Sequence, residues 1–166
     1  MMAAPRRRKK ESNAMDPQPT AVTVKRSFGA PAERVFDAWL DPDMIGGWMF
    51  EPSLRNEEVL RIAIEPHVDG RFSFLVLRGG KQVNYIGQYL EMDRPRRLVF
   101  TWAVVPDSPE PGVASRVVID IVPQGKRCDL TLVHELQPEW AHYAPIAAEN
   151  WTKELGILHA TLSPDA

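Results

Sequence analysis

The stretch Gly70–Trp102, GRFSFLVLRGGKQVNYIGQYLEMDRPRRLVFTW, decides how this chain folds. Phe72, Phe74 and Val76 alternate with Arg71, Ser73, Leu75 and Leu77, the period of two that sends successive side chains to opposite faces of a strand. Gly79-Gly80 then breaks the run as a two-residue hairpin turn does. The return strand runs from about Gln82 to Met92 and divides into two mixed faces: Asn84, Ile86, Gln88, Leu90 and Met92 on one, Tyr85, Gly87, Tyr89 and Glu91 on the other. The first set is expected to face inward. Its amides would then be satisfied by water or ligand in a cavity rather than by dry core, whereas the reverse assignment turns both to solvent. After the proline turn Asp93-Arg94-Pro95-Arg96, Leu98, Phe100 and Trp102 alternate with Val99 and Thr101. The three runs form an antiparallel meander.

Working outward, the run from Thr20 places Val22 and Val24 opposite Thr23 and Lys25, a strand with one wet face. It ends at Gly29-Ala30-Pro31, where Pro31 suits the start of a helix carrying Val35, Phe36, Trp39 and Leu40. Asp41-Pro42 stops that helix and opens a second, with Met44, Ile45, Trp48 and Met49. A strand follows at about Glu58 to Glu65, with Leu60, Ile62 and Ile64 sharing a face. Beyond the meander, the Pro- and Asp-rich segment 106–112 is expected to be a loop. Two more strands follow, Ser115–Val122 with Val117, Ile119 and Ile121 inward, and Arg127–Leu136 with Leu130, Leu132, His134 and Leu136 inward. Pro123-Gln124-Gly125-Lys126 joins them. Trp151, Leu155, Leu158 and Leu162 recur at helical spacing, so a long amphipathic helix closes the chain. Pro145 places it mainly after that residue, with 139–144 as a separate short turn.

Composition bounds the function. At 166 residues with a net charge of -2, the chain fits one domain and has no global charge that would draw it to nucleic acid. The basic cluster Arg6–Lys10 heads an aperiodic polar segment, so residues 1–19 are expected to be a disordered tail and 20–163 the folded domain. No apolar run reaches the roughly 20 residues of a membrane span, and insertion into a membrane is not expected. The single cysteine, Cys128, cannot close an intramolecular disulfide and lies in a strand pattern. A reducing, cytoplasmic setting is expected, with Cys128 a core residue.

The order of one strand, two short helices, six strands and one long helix is an α+β arrangement in which the terminal helix must cover the apolar face of a one-sided sheet. The ordered set Ala30-Pro31, Val35-Phe36, Trp39, Pro42, Trp48, Asp69-Gly70-Arg71-Phe72, Gly87–Met92 with Pro95, Arg97–Trp102, and Trp151 with Leu155 resembles the homologues of the activator of the ninety-kilodalton heat-shock protein ATPase. That family lies within the START-like (SRPBCC) superfamily, which also includes polyketide cyclases and Bet v-like plant lipid binders. The likeness runs from about Val22 to Leu162. Where the family often has glycine ahead of the meander and before the last helix's tryptophan, this chain has Asp69 and Asn150.

The resemblance implies a helix-grip fold, a curved antiparallel sheet wrapped around the C-terminal helix, with a cavity between them. It implies a small hydrophobic ligand there, lined by some of Trp39, Trp48, Phe72, Phe74, Ile86, Gln88, Phe100, Trp102, His134, Trp151 and Leu155. The alternative is an enzyme of cyclase or hydrolase type, with His134 the inward-facing group able to serve as general base. A chaperone-binding module ranks behind both, because the co-chaperone members carry an additional amino-terminal domain and only a short tail stands here. A homodimer remains open. There is no phosphate-binding glycine loop, dinucleotide fingerprint, H-E-x-x-H or nucleophile elbow, and His67, His134, His142 and His159 lack metal-site spacing. Neither a cofactor nor a metal is therefore expected.

Overall fold

The computed structural model describes residues 20–52, 56–105 and 115–162. The expected tail and the expected loop at 106–112 lie outside the described residues. Seven strands form one antiparallel sheet: β1 (Thr20–Phe28), β2 (Glu57–Ile64), β3 (Arg71–Arg78), β4 (Lys81–Asp93), β5 (Arg97–Val105), β6 (Ser115–Gln124) and β7 (Arg127–Leu136), in the order β1-β7-β6-β5-β4-β3-β2. Helices α1 (Ala32–Ala38) and α2 (Pro42–Trp48) join the two edge strands, and α3 (Ala144–Leu162) ends the domain after a 3-10 helix, Pro138–Tyr143.

Local chemistry accounts for the boundaries. Pro42 opens α2 while the Asp41 side chain accepts from the Asp43 N–H at 2.9 Å, satisfying one of the free donors at a helix start. Pro145 is the second residue of α3, where its missing N–H leaves no helical bond unmade. Asp69 takes φ 71, the left-handed region that glycine enters freely and aspartate tolerates.

The inner face of the sheet is apolar apart from a polar patch at Ser115 and His134. Val22, Val24, Phe72, Phe74, Val76, Leu98, Phe100, Val117, Ile119, Ile121, Leu130 and Leu132 are buried there, as the alternation predicts. Cys128 is buried as well, and burial with Asp129 nearby pushes its thiol up to about 11. The helix α3 seals this face with Trp151, Leu155, Leu158 and Leu162. The rings of Trp102 and Trp151 lie 5.7 Å apart, and Phe28 meets His159 at 6.0 Å, so the helix passes over the sheet from β5 towards β1.

Strand β4 corrects the sequence reading. The Gly79-Gly80 turn pairs Arg78 with Lys81, so Val76 lies opposite Val83, Phe74 opposite Tyr85 and Phe72 opposite Gly87. Directly opposed residues share a face, so Val83, Tyr85 and Tyr89 are buried inside. Ile86 and Gln88, expected inside, are on the outer face with Asn84, whose carbonyl accepts from the Ser73 hydroxyl at 2.8 Å. Gly87 is the slot that lets the Phe72 ring lie flat on the strand: a Cβ there would stand 2.0 Å from the Thr101 carbonyl oxygen and 2.4 Å from the Phe72 ring.

Two bulges complete the correction. The register shifts between Val59 and Arg61 and again between Tyr89 and Glu91, leaving Leu60 and Leu90 as the extra residues. Each bulge advances the alternation by one, so Val59 and Ile62 share the inner face around an outward Leu60, which is 42% exposed, while Met92 turns in beyond Leu90 at 38%. Bulges also sharpen the twist that bends the sheet around the helix.

Candidate functional site

The concave face is filled at one end and open at the other. At the filled end, Trp39 follows α1 and meets Trp48 at 4.7 Å and Phe100 at 6.1 Å, while Phe72 stacks on Phe74 at 4.7 Å. The indole N–H of Trp48 donates to the Ala38 carbonyl at 3.0 Å. The void left among Trp39, Ile45, Phe72, Phe100 and their neighbours is about 10 Å³, no more than a single water occupies. Arg94 clasps the Asp37 carboxylate through two bonds of 2.8 and 2.9 Å, tying the β4–β5 turn to α1. That guanidinium holds the Asp37 carboxyl below its usual range.

At the other end lies a cavity of about 200 Å³. Its walls come from Arg78 and Tyr85 of β3 and β4, Trp102, Ala103 and Val104 of β5, Ser115 of β6, and His134 and Leu136 of β7. Gln137 and, from the 3-10 helix, Trp140 and Tyr143 add to them, as do Ala147, Asn150, Trp151 and Glu154 of α3. The four α3 residues are spaced by three, one and three, which sets them on one helix face. Trp102 is the partition, since it borders both the small void and the cavity.

Of the eleven residues expected to line a ligand site, the structure brings Trp102, His134 and Trp151 to the wall of this cavity. Trp39, Phe72, Phe74 and Phe100 are packed at the filled end, Trp48 and Leu155 are fully buried away from the opening, and Ile86 and Gln88 face outward. The sequence reading missed Tyr85, Ser115, Trp140, Tyr143, Asn150 and Glu154. Tyr85 was recoverable from the hairpin register, and Asn150 and Glu154 from their spacing to Trp151. Nothing local marks Ser115, whose inward aim follows from pairing opposite Trp102.

A directional hydrogen-bond chain crosses the floor of the cavity. The Trp151 indole donates its Nε1–H to Nδ1 of His134 at 3.0 Å. An indole only donates, so Nδ1 accepts and the neutral imidazole carries its proton on Nε2. Nε2 lies 2.7 Å from Ser115 Oγ and therefore donates to it, while the Ser115 hydroxyl donates onward to the Trp102 carbonyl at 2.8 Å. Every member uses the donor it has. Burial at 2% exposure pushes the His134 imidazole down to about 4, and protonation would turn a second donor against the Trp151 N–H.

This polarity determines what the pair can do. A nucleophilic serine needs a histidine nitrogen that accepts its proton, whereas here the histidine donates to the serine. Both ring nitrogens of His134 are engaged, so the expected general base has no lone pair open to the cavity. At the rim, Tyr85 donates its hydroxyl to Glu57 at 2.6 Å and Arg78 bonds the same carboxylate oxygen at 2.8 Å, joining β2, β3 and β4. Among the described residues, no group of three or more His, Cys, Asp or Glu side chains is placed to hold a metal ion, and no helix is long and apolar enough to cross a membrane.

Comparison with known proteins agrees with this architecture. Protein CV1439 from Chromobacterium violaceum is 26% identical, with a TM-score of 0.69 over 87% of this chain and 97% of its own. Protein Ms6760 from Mycobacterium smegmatis, at 17% identity, shares the fold with a TM-score of 0.73 over 91% of this chain and 96% of its own. CalU16 from Micromonospora echinospora, at 22%, does so with a TM-score of 0.64 over 89% and 78%. No curated protein matches the chain. The profile described as activator of Hsp90 ATPase homolog 1-like protein matches residues 29–163, so this chain, with its helix-grip fold and half-filled concave face, belongs to that family.

Proposed function

We propose that the protein binds a small hydrophobic molecule in the cavity between the curved sheet and α3. The observation that carries this reading is the contrast in filling on one continuous face: side chains close the void near Trp39 to about 10 Å³, whereas about 200 Å³ stays open beside Trp102 and Trp151. Apolar and aromatic walls with a few polar groups are the usual lining of a small-molecule site. Size narrows the class. A cavity of roughly 150 Å³ takes up benzene, so 200 Å³ suits a compact molecule of one or two rings rather than a long acyl chain. The cyclase-type alternative gains nothing from the geometry, because His134 is held as a structural donor and acceptor.

The test fills the space. Ala147 is 2% exposed and lines the cavity, so Ala147→Phe places a ring inside it from the helix side. The wild-type protein should bind an apolar fluorescent probe saturably at one site per chain, and Ala147→Phe should abolish binding while keeping the far-ultraviolet circular dichroism. Native mass spectrometry of the freshly purified protein then identifies any retained ligand. Absence of saturable probe binding by the wild type, or undiminished binding by a folded Ala147→Phe, would overturn the proposal.

A further inference from the structure

The floor chain also limits what the ligand can present. Ser115 Oγ has one hydrogen to give and two lone pairs to offer. Its hydrogen goes to the Trp102 carbonyl at 2.8 Å, and one lone pair takes the Nε2–H of His134 at 2.7 Å. The Trp151 indole, which can only donate, dictates this direction from the far side of the ring. What is left on the half-buried Ser115 is a single lone pair, on a residue that lines the cavity. A neutral hydroxyl, normally able to serve either way, is thereby made into an acceptor.

We infer that the cavity selects, among compact ring molecules, those that donate an O–H or N–H to Ser115 Oγ, such as phenols and N–H heterocycles. Molecules that reach this point with a carbonyl, an ether oxygen or a carboxylate are disfavoured. This inference rests on the binding reading above. A group that only accepts would bring its lone pair against that of Ser115 and leave both without a hydrogen. A donor completes the fourth tetrahedral position of the oxygen. His134 is the positioning residue: it touches no ligand atom in this scheme but orients the serine.

Indole, benzofuran and indene make the test, since they share one bicyclic outline and differ in presenting an N–H donor, a ring oxygen and neither. Their affinities for wild type, Ser115→Ala and Ser115→Thr are measured by displacement of the apolar probe. One hydrogen bond is worth about a fivefold change in affinity. Indole should therefore bind the wild type about fivefold more tightly than benzofuran and lose about fivefold in Ser115→Ala, indene should stay within about twofold, benzofuran should hold or gain affinity as the opposing lone pair is removed, and Ser115→Thr, which keeps the hydroxyl, should restore indole. An equal loss for all three compounds would mean that the hydroxyl acts only on cavity shape, and no loss for any would mean that indole ignores it; either result overturns the inference and leaves the binding reading standing. Failure of all three to displace the probe from the wild type would overturn this inference alone, whereas absence of saturable probe binding would overturn both.

Discussion

The two ends of the concave face use the same materials to opposite effect. Near Trp39 the rings of Trp48, Phe72, Phe74 and Phe100 interlock, and α1 and α2 press side chains into whatever the sheet leaves. Near Trp151 no such pair of helices intervenes: the indole meets the Trp39 and Trp102 rings at 6.0 and 5.7 Å on its packed side, and a bond to His134 fixes it while space stays open beside it. Packing fills space because each ring fits the next; a directional bond positions a ring while leaving space beside it. The difference teaches that a cavity persists here because polar geometry, rather than contact on all sides, supports its wall.

Breaking the filled end should cost most. In Gly87→Ala the new methyl collides with the Thr101 carbonyl oxygen, which belongs to the paired strand and has no rotamer by which to retreat. A loss of about 3 kcal/mol or more is expected in chemical denaturation, above the usual cost of overpacking. A change under 1 kcal/mol would show that the Phe72–Gly87 contact is not tight.

At the open end, Trp151→Ala should cost about 2 to 3 kcal/mol, less than the 3 to 5 typical of a fully packed tryptophan, because part of the ring already borders open space. It should also abolish probe binding. A stability loss at the top of the packed range with binding intact would mean that the ring belongs to the filled end.

The His134 chain predicts a pH dependence. The imidazole has a folded value of about 4 against an ordinary 6.5, so the folded state disfavours its protonation. Its contribution is fully present above pH 6.5, declines as pH falls through the window from 6.5 to 4, and is gone below it. At pH 5 the loss should be about 2 kcal/mol, from 1.5 pH units at about 1.4 kcal/mol each. His134→Gln, which can accept from Trp151 and donate to Ser115 without titrating, should remove this component, and an unchanged pH profile in that variant would assign the dependence to other groups.

The smallest effect sharpens the comparison within the filled end. The Trp39 indole N–H is buried without a hydrogen-bond partner among the described residues, whereas that of Trp48 is satisfied by Ala38. Trp39→Phe removes an unmade bond and should cost about 1 kcal/mol, while Trp48→Phe strands a carbonyl and should cost about 1 kcal/mol more. Equal costs in thermal melts would indicate that Trp39 has a partner.

How much of this was legible in the residues depends on the range of the interaction involved. The alternations Phe72-Phe74-Val76, Leu98-Phe100-Trp102 and Leu130-Leu132-His134, the proline starts of the short helices and the Trp151–Leu162 stripe are local patterns, and they specified the elements, their order and their inner faces. Even the inward aim of Tyr85 was implicit, since a two-residue turn at Gly79-Gly80 and an inward Phe74 together place Tyr85 inside. That signal was masked because β4 shows similar polarity on both faces and changes phase at Leu90. The bulges at Leu60 and Leu90, the division of one apolar face into a filled and an open end, and the polarity of the Ser115–His134–Trp151 chain were decided only in three dimensions. Each joins groups from different strands or from strand and helix, and the direction of a hydrogen bond depends on which partner the fold sets opposite, which residue type and spacing along the chain do not encode.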